Sequence, residues 1–176
     1  GDVLYVSSGW ISSNVIDDNF MIELNSAIQG GAKIYLFFGY KESKRNTKYN
    51  EAKDLLISAC KKSRGNLKLF EAGNRFDREG NHYKLLLLDG EFYVEGSFNW
   101  LSNSKGANIE RSHKYQWNEI SNDIKSDFIV DSRQYEIGCG DDIDLPGLPG
   151  LPEEPRDKAV TDHLVKDGPL VDALKQ

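Results

Sequence analysis

The chain has 176 residues, of which 39% are hydrophobic and 28% are charged, and its net charge is -6. This length and composition fit a folded protein with one core, and they exclude collagen-like, fully disordered and coiled-coil chains. Residues 1–137 contain 18 Lys and Arg against 19 Asp and Glu, whereas residues 138–176 contain 4 against 9. Most of the acidity belongs to the tail, so the charge does not exclude nucleic acid as a partner of the remainder.

The first half of the chain alternates between strand and helix patterns. Apolar and β-branched runs predict strands at residues 3–6, 33–38 and 66–70. Between them, apolar residues at helical spacing predict one helix that ends at Gly30 and another at residues 49–62. Such alternation predicts an α/β fold with a mixed, mostly parallel sheet, right-handed crossovers and flanking helices.

After Gly80 the pattern changes to two adjacent strands, at residues 82–88 and 91–96, separated by Asp89 and Gly90. This dipeptide favours a two-residue hairpin turn, which would place Ser97 opposite His82 with both side chains on one face. A further strand near residues 109–116 and a helix near 119–133 complete a domain that spans residues 1–137.

The remaining residues differ in composition. Residues 138–155 are rich in Gly, Pro and Asp and predict a linker, and residues 156–176 predict a weakly helical accessory segment that packs on a partner or on further domains. The chain begins with Gly1 instead of Met, which is expected either of an excised piece of a longer protein or of a residue left by a tag.

Two global features suggest where the protein works. The longest aliphatic run, residues 85–88, is far too short to cross a membrane, and the N-terminus shows no export signal. Cys60 and Cys139 are too few for a disulfide framework and lack metal-ligand spacing. We therefore expect a reducing, cytoplasmic location without membrane contact.

The chemically informative residues are those around the predicted hairpin. In extended chain His82 and Lys84 project to one face, and so do Ser97 and Asn99. An imidazole can attack phosphorus or move a proton near neutral pH, while an ammonium and an amide N–H can hold phosphoryl oxygens. The set suits a phosphodiester without a metal or another cofactor, and Glu110 is the candidate carboxylate that orients the imidazole.

These residues resemble a known motif. The pattern H-x-K-x4-D-x6-G-S, followed by Asn99 and by an Asn-x-Glu at residues 108–110, is similar to the HKD motif of the phospholipase D superfamily. The resemblance covers about residues 1–135. It implies that His82 forms a phosphohistidine or acts as acid and base, that Lys84 and Asn99 bind the phosphoryl group, and that Ser97 lines the pocket. Glu110 would support His82, and Asp89 would be mainly structural.

The chain departs from two-motif members of that superfamily because it has a single HxK. One histidine cannot both hold the phosphoryl group and protonate the leaving oxygen. The resemblance therefore implies a homodimer whose two-fold axis brings two motifs together. By this resemblance we expect a metal-independent DNA endonuclease, such as the nuclease domain of a larger restriction or phage-defence protein.

Two other functions remain open. The same chemistry would serve a lipid or small-molecule phosphodiesterase, and an inert site would leave a dimeric nucleic-acid-binding module. Between residues 41 and 68 the chain has nine basic residues against three acidic ones, which indicates either a phosphate-backbone footprint or a solvated helix face. His113 and His163 have no partners at ligand spacing. Trp10, Trp100 and Trp117 are interpreted first as core or interface residues and second as base-stacking platforms.

Overall fold

Seven strands and three helices make up the part of the chain that the computed structural model describes, which is residues 1–40, 46–73, 80–102 and 110–138. Their order is β1 (Val3–Ser8), α1 (Asp18–Gln29), β2 (Lys33–Phe38), α2 (Thr47–Lys62), β3 (Leu67–Glu71), β4 (Leu85–Leu88), β5 (Phe92–Gly96), β6 (Ser112–Gln116), α3 (Glu119–Arg133) and β7 (Glu136–Ile137). Strand β4 begins three residues later than predicted, and β7 was not predicted. The predicted linker and accessory segment lie outside the described residues, except for Gly138.

The strands form one mixed sheet in the order β6-β5-β4-β1-β2-β3-β7. The predicted α/β fold with a mixed sheet and flanking helices is confirmed. Only the pairs β1–β2 and β2–β3 are parallel, however, and the other four pairs are antiparallel. The connection between β4 and β5 is too short for the crossover that a parallel pair requires, so this part of the sheet is antiparallel.

The two faces of the sheet are covered by different helices. Helices α1 and α2 pack on one face, where Leu24 and Leu56 join Leu36, Phe38 and other strand residues in the main apolar core. On the opposite face, the Phe128 ring of α3 packs edge-on against aromatic rings of β1, β2 and β3. This arrangement buries the parallel strands on both sides, as their continuous apolar sequences require.

Each helix begins at a side chain that caps it. Asp17, Asn46 and Asn118 have extended backbones, and their side-chain oxygens accept hydrogen bonds from backbone N–H groups in the first turn of α1, α2 and α3. In α3 the cap is reciprocal, because Ser121 also accepts from the Asn118 N–H. These caps satisfy donors that have no partner within the helix and so fix where each helix starts.

Two features bear on the expected location. Cys60, in the last turn of α2, is disulfide-bonded, and the chain's other cysteine, Cys139, lies outside the described residues. A disulfide is typical of oxidising compartments, and the expected reducing, cytoplasmic location stays a prediction. None of the described helices has the length and apolar character needed to span a bilayer.

Candidate active site

Five of the six predicted site residues lie at one end of the sheet because of its topology. Parallel strands β1 and β2 both finish there, and antiparallel β4 starts there, since Leu85 pairs with Ser7. Strand β5 returns to the same end, where Gly96 pairs with Ser112 at the start of β6. We call this the site end of the sheet. Residues of three separate stretches flank these strand ends: His82, Lys84, Ser97, Asn99 and Glu110.

The hairpin register differs by one residue from the prediction. Leu88 pairs with Phe92, and the intervening turn has three residues, closed by a hydrogen bond of 3.0 Å from the Glu91 N–H to the Leu88 carbonyl. Gly90 adopts φ +80° in this turn. The predicted pairing of Ser97 with His82 is therefore wrong, because a one-residue shift exchanges the faces. The ladder ends at the Leu85–Glu95 pair, and His82 and Ser97 both lie beyond it.

Asn81 fixes the backbone that carries His82. Its amide nitrogen donates to the Ser7 hydroxyl at 2.9 Å and to the Phe37 carbonyl at 3.0 Å, and its oxygen accepts from the Tyr83 N–H at 2.9 Å. The side chain is buried, with 4% of its surface exposed. Asn81 thus ties the start of the β4 segment to β1 and β2, while the His82 side chain remains exposed.

Asn81 was not predicted from the sequence. Its position directly before His82 was the available signal, but a polar residue in a loop is usually solvated, and its burial follows only from the tertiary structure. Gly9 was missed for a similar reason. A Cβ atom there would lie 2.9 Å from the Asn81 carbonyl oxygen, so only glycine lets β1 end this close to His82.

Lys84 lies two residues after His82 and bends back towards it. Its ammonium donates to the His82 carbonyl oxygen at 2.7 Å. Partial burial lowers the pKa of Lys84 from its ordinary value, and the negative charge of Glu110 opposes that shift. Glu110 is therefore close enough to Lys84 to interact with its charge, so the cation and the carboxylate share one site.

Ser97 holds Glu110 at the start of β6. The Ser97 hydroxyl donates to the Glu110 carboxylate and accepts from the Arg111 N–H at 3.0 Å. The Ser97 N–H also donates to the Arg111 carbonyl at 2.9 Å. These hydrogen bonds join the segment that follows β5 to the segment that precedes β6. Asn108, the other polar residue of the downstream motif, lies outside the described residues.

Asn99 places a buried polar atom near the site. Its side-chain oxygen has no hydrogen-bond partner in the structure as described. The Cβ position of Gly9 lies 3.5 Å from this oxygen and 3.9 Å from the His82 Cα, so Asn99 and His82 flank the same glycine. A buried unsatisfied polar group costs free energy, and such groups are often retained where a ligand completes them.

Asp89 lies at the opposite end of the sheet, in the turn after β4. Its carboxylate pairs with the Lys125 ammonium at 2.5 Å and so ties the hairpin to α3. Its N–H donates to the Val3 carbonyl at 2.9 Å. The seven steps along the chain from His82 to Asp89 correspond to roughly 20 Å in an extended conformation. These contacts of Asp89 join the hairpin turn to α3 and β1.

The basic segment does not form one continuous surface at the site. Lys53 pairs with buried Glu71 at 2.6 Å, and Lys68 pairs with Glu136 at 2.9 Å. Helix α2 starts near the site end and runs away from it, so Lys61 and Lys62 lie in its last turn. Among the described members, only Lys48 lies near the start of α2; Lys41, Lys44 and Arg45 lie outside the described residues. This arrangement favours a solvated face for most of the segment.

The remaining histidines and tryptophans fall into different environments. His113 is exposed and pairs with Glu95 across β5 and β6. Trp100 packs against the main core, and Trp117 follows β6 at the end of the sheet away from the site. Trp10 is partly exposed at the site end, where its ring lies 6.0 Å from that of Tyr40. His163 lies outside the described residues.

Comparison with known proteins gives the class of fold. No protein-family model matches the chain, and no curated protein matches it by sequence. Its structure, however, matches members of the phospholipase D superfamily, so the chain has the phospholipase D fold that the motif implied.

Three solved structures illustrate the match. Nuc from Salmonella typhimurium, a phospholipase D family member, is 15% identical with a TM-score of 0.51, and the alignment covers 77% of this chain and 80% of Nuc. NucT from Helicobacter pylori is 19% identical with a TM-score of 0.56, covering 77% and 81%. Phosphatidylserine synthase from Haemophilus influenzae is 12% identical with a TM-score of 0.53, covering 77% of this chain and 33% of the synthase.

Proposed function

We propose that this protein is a metal-independent phosphodiesterase of the phospholipase D type that cleaves DNA through a phosphohistidine. The proposal rests on one observation above all. An exposed imidazole, a partly buried ammonium, a hydroxyl bound to a carboxylate and the Asn99 amide lie at one end of the sheet. These groups supply a nucleophile and the partners of a phosphoryl group.

In the proposed reaction, the His82 imidazole attacks phosphorus. A P–N bond forms as the P–O bond to the leaving strand breaks. Lys84 and the Asn99 amide N–H hold the non-bridging oxygens, and Ser97 lines the pocket and positions Glu110. Glu110 supports the positive charge that His82 acquires. Water then attacks phosphorus, the P–N bond breaks, and the imidazole is regenerated.

The leaving oxygen needs a proton, which a second imidazole must supply before it deprotonates the attacking water. His113 lies one pair from the site end of the β5–β6 ladder, but it is the poorer candidate because its strand partner is Glu95 and its ring lies beside that of Tyr115. The second imidazole is therefore His82 of another copy of the chain, in a homodimer whose two-fold axis passes between the two site ends.

DNA is preferred to a lipid as the substrate because the site end presents polar groups and aromatic rings. In a larger restriction or phage-defence protein, recognition of a target sequence would fall to other domains, because these groups bind the phosphodiester common to all sequences.

The test is to incubate the purified chain with plasmid and with single-stranded DNA in EDTA, beside the variants His82→Ala and His113→Ala. Both histidines are exposed, so neither change should unfold the protein. Cleavage should fall by about 10³-fold or more in His82→Ala, the order expected for loss of a nucleophile, and stay within about twofold in His113→Ala. Quenching in denaturant at alkaline pH, where a P–N bond to imidazole is stable, should trap protein labelled by the DNA only when His82 is present.

Other results would select other functions. Strict dependence on Mg²⁺ would overturn the phosphohistidine mechanism. Salt-sensitive DNA binding without turnover would indicate the inert binding module, and hydrolysis of phosphatidylcholine vesicles in place of DNA would indicate the lipid enzyme. A monomer in sedimentation at the concentrations of the assay would contradict the two-copy site.

A further inference from the structure

A pair of aromatic residues flanks the candidate nucleophile. Strands β1 and β2 end in the same way, each with a glycine followed by an aromatic residue: Gly9-Trp10 and Gly39-Tyr40. The Trp10 and Tyr40 ring centroids are 6.0 Å apart, with an interplanar angle of 31°. The Tyr40 ring lies in turn 6.3 Å from the His82 ring. Tyr40 thus contacts both other rings at the site end.

The backbone beneath these rings is held firmly in place. The ladder between β1 and β2 continues past its last strand pair, because the Gly39 N–H donates to the Gly9 carbonyl at 3.3 Å. The Asn81 N–H donates to the Gly39 carbonyl at 2.8 Å. The Ser8 hydroxyl also donates to the Trp10 carbonyl at 2.8 Å. The two aromatic residues and His82 are therefore carried by one hydrogen-bonded unit.

The glycines explain why these aromatic residues can lie so close to the site. A Cβ at Gly39, whose φ is +111°, would lie 2.5 Å from the Ala72 carbonyl oxygen, and Gly9 is similarly confined by Asn81. Trp10 and Tyr40 are both partly exposed, whereas the core aromatic residues of β1 and β2 are buried.

We propose that Trp10 and Tyr40 form a stacking surface for a nucleobase next to the phosphodiester that His82 attacks. The inference rests on the proposed function and deepens it, because it names the substrate as a nucleic acid with an unpaired or extruded base at the site. Stacking on aromatic rings accepts every base, since each presents a π face. The pair would therefore add affinity without sequence preference.

The test compares two substrates of equal length, a single-stranded oligodeoxynucleotide and an abasic oligomer with the same sugar-phosphate backbone. The kcat/KM ratio between them reports what the bases contribute. Trp10→Ala should lower this ratio roughly 5- to 150-fold, the range measured for loss of one stacked base, and Tyr40→Ala should lower it in the same direction. Trp10→Phe should restore most of it, because a ring remains.

Trp117→Ala is the matched control, because Trp117 is also partly exposed but lies at the far end of the sheet. It should leave the ratio within twofold. Equal losses on both substrates in Trp10→Ala would overturn the proposal and indicate a structural role. An unchanged ratio, with or without a change in oligomeric state, would overturn it too.

A second measurement keeps this inference separate from the proposed function. The dissociation constants of both oligomers are measured by fluorescence anisotropy in the His82→Ala background, where no cleavage is expected. If the parent protein cleaves nothing, the proposed phosphodiesterase fails, but a selective loss of oligodeoxynucleotide affinity in Trp10→Ala would still support the stacking surface. Equal affinity of both oligomers for His82→Ala would overturn it.

Discussion

The parallel half of the sheet, strands β1 to β3, and the antiparallel half, strands β4 to β6, differ in how deeply they are buried. In β2 and β3 nearly every residue is buried, and α1 and α2 cover one face of this half. In β5 only Tyr93 is buried, and all five residues of β6 are exposed. The residues proposed to react with substrate lie next to β4, β5 and β6, so the buried half serves mainly as the scaffold and the exposed half carries the chemistry.

This division implies that stability and activity can be altered separately. The reactive side chains make few core contacts, whereas the core residues make no proposed contact with substrate. Asn81 is the exception, because its amide joins the segment of His82 to strands of the parallel half. Three changes test the division, beginning with the largest expected effect.

The largest effect is expected from Leu56→Ala in the scaffold. Leu56 is fully buried in α2, and replacing a buried leucine by alanine removes apolar contacts and leaves a cavity, which costs about 3 kcal/mol of unfolding free energy. Urea denaturation would measure the loss. Cleavage per folded molecule should be unchanged.

The neighbouring leucine gives a matched control. Leu55 lies on the same helix with 37% of its surface exposed, so Leu55→Ala should cost less than about 1 kcal/mol. Similar losses for the two variants, or lower activity per folded molecule in Leu56→Ala, would contradict the separation of scaffold and site.

Asn81→Ala should affect both properties. It removes three hydrogen bonds and leaves the Ser7 hydroxyl and the Phe37 carbonyl short of a partner, at a cost of about 2 kcal/mol. Because Asn81 positions His82, kcat should fall while KM changes little. Denaturation and steady-state kinetics at a temperature where the variant is folded would measure the two effects.

Asn25→Ala, at an exposed position of α1, is the control and should change neither quantity appreciably. If Asn81→Ala lost stability but kept its full kcat, Asn81 would have only a structural role. Its hydrogen bonds to the parallel half would then not affect the reaction.

The smallest effect is expected at the less tightly packed boundary of α3. A cavity of about 150 Å³ there is lined by residues that include Glu95, Asp127 and Asp131. Burial, followed by the charge of Asp127, raises the pKa of Asp131 from 3.8. A raised carboxyl pKa favours the folded state below pH 3.8, and this contribution is lost as pH rises through the raised value.

Asp131→Asn should therefore stabilise the protein at neutral pH. More than a third of the side chain is exposed, so solvent screening limits the gain to about 0.5 kcal/mol. Thermal unfolding at pH 7 and below pH 3.8 would test this, since the gain should vanish in acid. Asp54→Asn, at an exposed position of α2, is the control; an equal gain there would assign the effect to net charge alone.

Sequence patterns predicted the scaffold better than the details of the hairpin. The continuous apolar run of β2 predicted a buried strand, and both of its ends were predicted correctly. Asp89-Gly90 is compatible with turns of two or three residues, and the choice depends on how β4 and β5 pair with their neighbours. Strand β7 has only two residues and is held by pairing with Leu69 and Phe70, which no local pattern shows.

The residue types of the candidate site could be read from their spacing, but their partners could not. The pattern brought Glu110 into the site, yet its hydrogen bond to Ser97 depends on where β6 starts. Charge counting suggested a basic surface, whereas Glu71 and Glu136 pair with two of its lysines across the fold. Such contacts join residues far apart in sequence, where periodicity gives no information.

The turn at Gly90 provides a place to attach a label to the protein. It lies at the end of the sheet opposite His82, and a Cβ atom there would meet nothing within 4 Å, although the φ of +80° favours glycine at this position itself. A fluorescent label or an inserted peptide at this tip would therefore be carried by the reactive hairpin at a distance from the reacting groups. It offers a handle for immobilising the molecule or following its assembly while substrate still has free access.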